Sequence, residues 1–187
     1  MLLPLPGTAY TAVMTQSLQD PAVLLAMGRT PDEVRARLAA ELDAFENELR
    51  ARQADWSRPQ AGREWSPAQE AEHVLLINEG ITRLVGLLMS ERELRPLPQT
   101  PGVLKDGKRQ APAHTLPSAE GLAWDELDSR WTQHRTRLEA AAAQVRDVPE
   151  RTMWHPFYGE LDALNWLRMV AGHLDSHRRL LKRSAGA

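Results

Sequence analysis

The chain has 187 residues and a mass of 21.0 kDa, enough for one domain with a real core. Its 23 basic and 25 acidic side chains leave a net charge of −2 without any Lys/Arg block, so neither nucleic acid nor an anionic membrane surface is an expected partner. Cysteine is absent, which removes disulfides, thiolate metal sites and cysteine nucleophiles and agrees with a cytoplasmic location.

Residues 1–29 show no apolar periodicity. The first 19 carry no charged side chain, but Pro4, Pro6 and Gly7 interrupt the apolar run and a basic leader is missing. The segment reads as neither a signal peptide nor a membrane span, but as an extension packing on or trailing from the domain formed by residues 30–187.

Four long helical stretches follow. Thr30-Pro31-Asp32-Glu33 predicts a capped helix start, and Val34, Leu38, Leu42, Phe45 and Leu49 then fall on one face. Ser66-Pro67-Ala68-Gln69 predicts a second start. That helix runs to about Ser90 with Val74, Ile77, Ile81, Leu84, Val85 and Leu88 as its stripe. Residues 91–117 hold five prolines and two glycines, a connection longer than a helix hairpin needs. A third helix is expected from near Ser118, with Trp124, Leu127, Trp131, Leu138 and Val145 along its seam. Residues 146–161 form another connection, and Asp162 caps a last helix to about Arg183, with Leu164, Leu167, Val170, Ala171, Leu174 and Leu181 inward. No strand alternation of useful length is present. The fold class is all-α, a four-helix bundle.

One constellation carries chemistry. His173 and His177 stand four apart on the last helix, so their imidazoles lie one turn apart on one face. Relative to His173, His177 lies at about 40°, Trp166 at about 20° and Val170 at about 60°, so both histidines point into the apolar arc. On the second helix, Ile77 lies about 40° from His73, which therefore also faces inward. Three inward imidazoles need polar partners. One divalent ion would satisfy all three and leave a position open, a catalytic zinc-like ligand set that nickel, iron or copper also accepts. Separate hydrogen bonds to backbone or carboxylates would satisfy them as well. Leu174, Asp175 and Ser176 between the pair exclude the HExxH protease motif.

Three stretches then match a family. Trp65-Ser66-Pro67-Ala68-Gln69-Glu70-Ala71-Glu72-His73, the turn His155-Pro156-Phe157-Tyr158-Gly159 leading into Leu161-Asp162-Ala163-Leu164-Asn165-Trp166-Leu167, and the closing His173-Leu174-Asp175-Ser176-His177 together resemble the DinB/YfiT-like superfamily of small four-helix-bundle metalloproteins. The resemblance implies His73, His173 and His177 as ligands of one divalent metal, zinc or nickel, with water in the open position. It implies an up-down-down-up helix order with a long crossover between helices 2 and 3. It further implies a metal-dependent enzyme acting on a small-molecule substrate, either a low-molecular-weight-thiol S-transferase or a hydrolase. A non-catalytic metal-binding stress-response protein is the alternative. The spare apolar faces and the 1–29 arm make a homodimer the expected assembly.

Glu70, one turn before His73, is a candidate to hydrogen-bond a ligand imidazole or a bound water, against the plainer role of a solvated helix-start carboxylate. His134 on the third helix is a candidate fourth ligand or proton carrier, against a satisfied core-edge histidine. Trp166, Ile77 and Val170 are the expected pocket walls. His155 in the turn reads as structural. Gly102 to Lys108 spells GxxxxGK, but Arg109 stands where magnesium would need Ser or Thr and prolines replace the preceding strand, so it is accidental.

Overall fold

The computed structural model of the protein describes residues 18–60 and 62–184. Most of the expected N-terminal extension, residues 1–17, lies outside the described residues. Its remainder contains a short 3-10 helix, Pro21–Met27, which buries Leu24 and packs on the first and last helices.

Four α-helices make the domain: α1 (Pro31–Ala51), α2 (Pro67–Leu88), α3 (Trp124–Gln144) and α4 (Ala163–Ser184). Local chemistry sets three of the four starts. Thr30 Oγ1 accepts from the Glu33 amide at 3.3 Å while the Glu33 carboxylate accepts from the Thr30 amide, a closed capping box with Pro31 at the first position. Ser66 and Gln69 repeat the arrangement on α2 at 3.3 and 3.0 Å. Asp162 Oδ1 accepts from the Asn165 amide at 2.7 Å at the start of α4. The apolar stripes then meet. Val34, Leu38, Leu42, Phe45 and Leu49 are each at most 2 % exposed, and Leu164, Leu167, Val170, Ala171, Leu174 and Leu181 are all buried.

Contacts between the helix ends fix the topology. Arg168, early in α4, donates to the carbonyls of Gly28 and Arg29 just before α1, both at 2.7 Å, so α4 runs alongside α1 in the same direction. Arg50, late in α1, pairs with Asp128, early in α3, at 3.1 Å, so α3 runs against α1. The Gln69 side chain at the start of α2 donates to the Ala119 carbonyl at 2.9 Å, and Arg130 pairs with Glu79 at 3.3 Å, so α2 and α3 are parallel. The order is up-down-down-up. Met89 to Ala123 is the crossover that returns the chain to the same end of the bundle.

Two features differ from the sequence reading. The third helix begins at Trp124 rather than near Ser118, because Ser118 is already engaged: its amide and hydroxyl both donate to the buried Glu72 carboxylate, at 3.0 and 2.8 Å. Gly121 then turns the chain at φ +72°, with the position of its absent Cβ only 2.6 Å from Ala68. Short antiparallel ribbons also occur, β1 (Leu104–Lys105) with β2 (Lys108–Arg109), and β3 (Met153–His155) with β4 (Gly159–Leu161). The accidental GxxxxGK stretch is thus a hairpin whose turn residues, Asp106 and Gly107, both have positive φ. Among the described residues no helix is long and apolar enough to cross a membrane.

Candidate metal centre

His73 on α2 and His173 and His177 on α4 come together. Each offers a ring nitrogen within 4.8 Å of the others, and their ring centroids are 5.4, 5.1 and 4.2 Å apart. The antiparallel packing of α2 on α4 produces this meeting, since it brings the first third of one helix level with the middle of the other.

The outer partners orient two of the rings. His73 Nδ1 lies 2.7 Å from the carbonyl oxygen of Thr115, in the crossover. A carbonyl can only accept, so Nδ1 carries the proton and Nε2 keeps its lone pair. His177 Nδ1 meets Glu70 Oε1, and the ionised carboxylate, which can only accept, assigns its tautomer the same way. Glu70 is fully buried and also holds Arg63 at 2.7 Å. His173 Nδ1 is buried with no hydrogen-bond partner among the described residues. A divalent cation fits this arrangement. Neutral nitrogen donors converge, two are aimed by an acceptor behind them, and among the described residues the buried His173 Nδ1 has no hydrogen-bond partner. Burial holds all three imidazoles below the usual histidine range, reinforced at His173 by the neighbouring imidazoles and Arg109. Burial pushes the Glu70 carboxyl up, while Arg63 and His73 oppose the rise.

The other sequence candidates fall in different places. Glu70 stands behind the His177 imidazole with both oxygens committed, one to His177 and one to Arg63. Trp166 and Val170 are buried and Ile77 is half-buried, all on the faces that the helical angles assign. His155 accepts the amides of Phe157 and Tyr158 on Nδ1, at 3.1 and 3.3 Å, which braces the β3–β4 turn, and its ring lies 5.1 Å from that of Trp166. The structure does not bring His134 to the triad. It is fully buried where α3 faces α2, beside Trp131, Glu79 and Arg137. Thr115, Arg63 and Trp65, whose ring sits 4.8 Å from that of His73, escaped the sequence reading. Trp65 had a signal in its motif. The other two are placed by long connections with no periodicity.

Burial lowers His134 to about 4, with Glu79 opposing and Arg137 reinforcing. Between that value and its ordinary one, the unfolded chain binds a proton that the folded chain does not, so stability rises with pH across this window and levels off above it. Urea unfolding at pH 4.5 and 7.5 is expected to show a smaller acid loss in His134→Leu than in the wild type, by up to about 3 kcal/mol. Parallel curves would contradict that assignment.

A four-helix bundle carrying an inward three-histidine cluster is the class that fold and site define. A sequence model of the DinB superfamily matches residues 37–181, and the chain belongs to that superfamily. It is similar to the uncharacterized protein YuaE of Bacillus subtilis (strain 168), with 22 % identity over 123 residues, covering 64 % of this chain and 76 % of YuaE. The crystal structure of TT2238, described as a four-helix bundle protein, superposes with a TM-score of 0.58 at 28 % identity, covering 83 % of this chain and all of that one.

Proposed function

We propose that the protein is a metal-dependent enzyme that holds one divalent ion, zinc or nickel, on His73, His173 and His177 and acts on a small molecule, as a low-molecular-weight-thiol transferase or a hydrolase of the cytoplasm. The observation that carries this reading is the convergence of three imidazoles held neutral, with two of their outer nitrogens bound by Thr115 and Glu70. Such an ion, when bound, supplies a Lewis acid that lowers the pKa of a water or thiol to near neutrality.

The chain's own residues do the rest. Thr115 and Glu70 fix ring orientation and tautomer. Arg63 opposes the rise that burial imposes on the Glu70 carboxyl, which favours the ionised form that accepts from His177. Trp65 packs against His73 and restricts its rotation. Family resemblance supports the thiol reading, and the absence of HExxH argues against peptide hydrolysis.

The test is elemental analysis of protein purified without a nickel resin, followed by assays of thiol loss with a panel of electrophiles and of ester and amide hydrolysis. About one ion per chain and ion-dependent turnover are expected. A fully metallated protein inert across the panel would assign the ion to a non-catalytic role. Glu70→Gln keeps the shape but removes the charge, and is expected to weaken metal affinity 10–100-fold, roughly, in a chelator competition. Unchanged affinity would show that Glu70 does not support the ligand.

A further inference from the structure

Arg109, at the end of β2, brings to the metal centre a positive charge that no acid among the described residues answers. Burial holds the His173 and His155 rings below the usual histidine range, and the charge of Arg109 deepens the fall in both. The guanidinium therefore acts on the triad from the His173 side, while Glu70 and Arg63 act from behind His177.

The side chain is held, not trailing in solvent. Its Cζ stands 4.8 Å from the ring centre of Tyr158 and 5.3 Å from that of Phe157, both buried. Nη2 donates to the Tyr158 hydroxyl at 2.7 Å and to Gln19 Oε1. Stacking and hydrogen bonds together fix the plane of the guanidinium. Tyr158 continues toward the triad. Its ring lies 4.9 Å from that of His155, which lies 5.1 Å from that of Trp166, on the α4 face that His173 shares. Both bonds from Arg109 use Nη2, so the N–H groups on Nε and Nη1 have no partner among the described residues. The residue is exposed, so a ligand can reach those donors.

The balance of charge says what they suit. Glu70 is the acid that acts on the imidazoles, and Arg63 already pairs with it at 2.7 Å. A divalent ion on the triad adds to the unanswered charge of Arg109. A cationic substrate is repelled by both, and a neutral one leaves the guanidinium unused. An anionic substrate is attracted by both.

We propose that the substrate of the metal centre carries a carboxylate set apart from its reacting group, received by the free edge of Arg109 as the specificity-determining residue. The inference rests on the metal-centre reading above. A planar fork meets the two oxygens of a carboxylate in parallel bonds, and here the fork is oriented before any ligand arrives.

The test uses the full chain loaded with cobalt(II), a zinc substitute whose absorption reports a thiolate joining the ion. Mercaptoacetate, β-mercaptopropionate and γ-mercaptobutyrate are titrated beside their methyl esters at constant ionic strength. The thiol takes the ion, and the chain length varies the reach of the carboxylate. The ester thiols are the more acidic, so thiol ionisation alone would favour the esters. At least one acid is expected to bind about tenfold or more tighter than its ester. Arg109→Gln should bring that acid and ester within roughly twofold of each other, with ester affinity, cobalt content and circular dichroism unchanged. Should that variant disturb the hairpin, Arg109→Lys, which keeps the charge and loses the fork, is expected to retain only part of the preference. Acids and esters that bind the wild type alike would overturn the assignment and leave the metal reading intact. So would a preference that survives Arg109→Gln, which reports a carboxylate bound to the ion itself. A chain that takes up no cobalt would end both.

Discussion

Replacing His177 with alanine is expected to remove metal binding and to lower the stability of the metal-free protein as well. One of three ligands is lost, so affinity should fall by more than the roughly 10–100-fold that follows loss of an outer hydrogen bond. The second effect comes from Glu70. Its side chain is fully buried, and His177 and Arg63 are its two partners. Removing one leaves a buried carboxylate oxygen unpaired, at a cost of about 1–3 kcal/mol. Chelator competition measures the first effect, and urea unfolding in excess chelator measures the second. His173→Ala separates the two, because His173 Nδ1 holds no such carboxylate: metal binding should fail while the metal-free protein keeps more of its stability. Equal metal affinity in His177→Ala and wild type would end the three-histidine reading.

The second large effect is expected at a glycine of the crossover. Gly121, near the end of the crossover, has φ +72°, and a Cβ there would sit 2.6 Å from the Ala68 carbonyl carbon and the Gln69 amide nitrogen. Backbone cannot rotate aside as a side chain does, so Gly121→Ala combines left-handed strain of about 1–3 kcal/mol with a forced separation of the crossover from α2. A total loss of about 3 kcal/mol or more is expected from the urea midpoint. The displaced segment carries Ser118, which holds Glu72, and Thr115, which orients His73. Metal affinity should therefore fall together with stability. Gly80→Ala is the control, since a Cβ at that position in α2 meets nothing within 4 Å and improves helix propensity by roughly 1 kcal/mol. If the two alanine variants behave alike, the close approach at Gly121 is not what positions the crossover.

How far the sequence could be read follows from the range of the interactions involved. Thr30 with Glu33 and Ser66 with Gln69 are contacts three residues apart, and both helix starts fall where those residues place them. The apolar stripes are equally local, and their burial follows. Ser118 looks like a cap by itself, but its hydroxyl is drawn to Glu72 on another element, and no local pattern records that competition. The inward direction of His73, His173 and His177 was legible from helical angles. Which helix each face meets was not, so the sequence could not tell whether His134 would join the triad or lie on the α2–α3 seam. The contact from Glu70 to His177 depends on the register of two helices a hundred residues apart. The Asp106-Gly107 turn joins strands of two residues each, too short for alternation to show.

The parallel course of α2 and α3 has an electrostatic consequence. Antiparallel neighbours cancel their axial dipoles, whereas these two present their positive ends side by side. The first turns there carry Glu70 on α2 and Asp125 and Glu126 on α3, as the parallel pair at the other end carries Asp32 and Glu33 on α1. Negative side chains thus gather where peptide dipoles accumulate positive potential. Glu70 draws on that same field, which favours its ionised form even though water is excluded, so the wiring of the bundle itself helps keep a carboxylate behind His177.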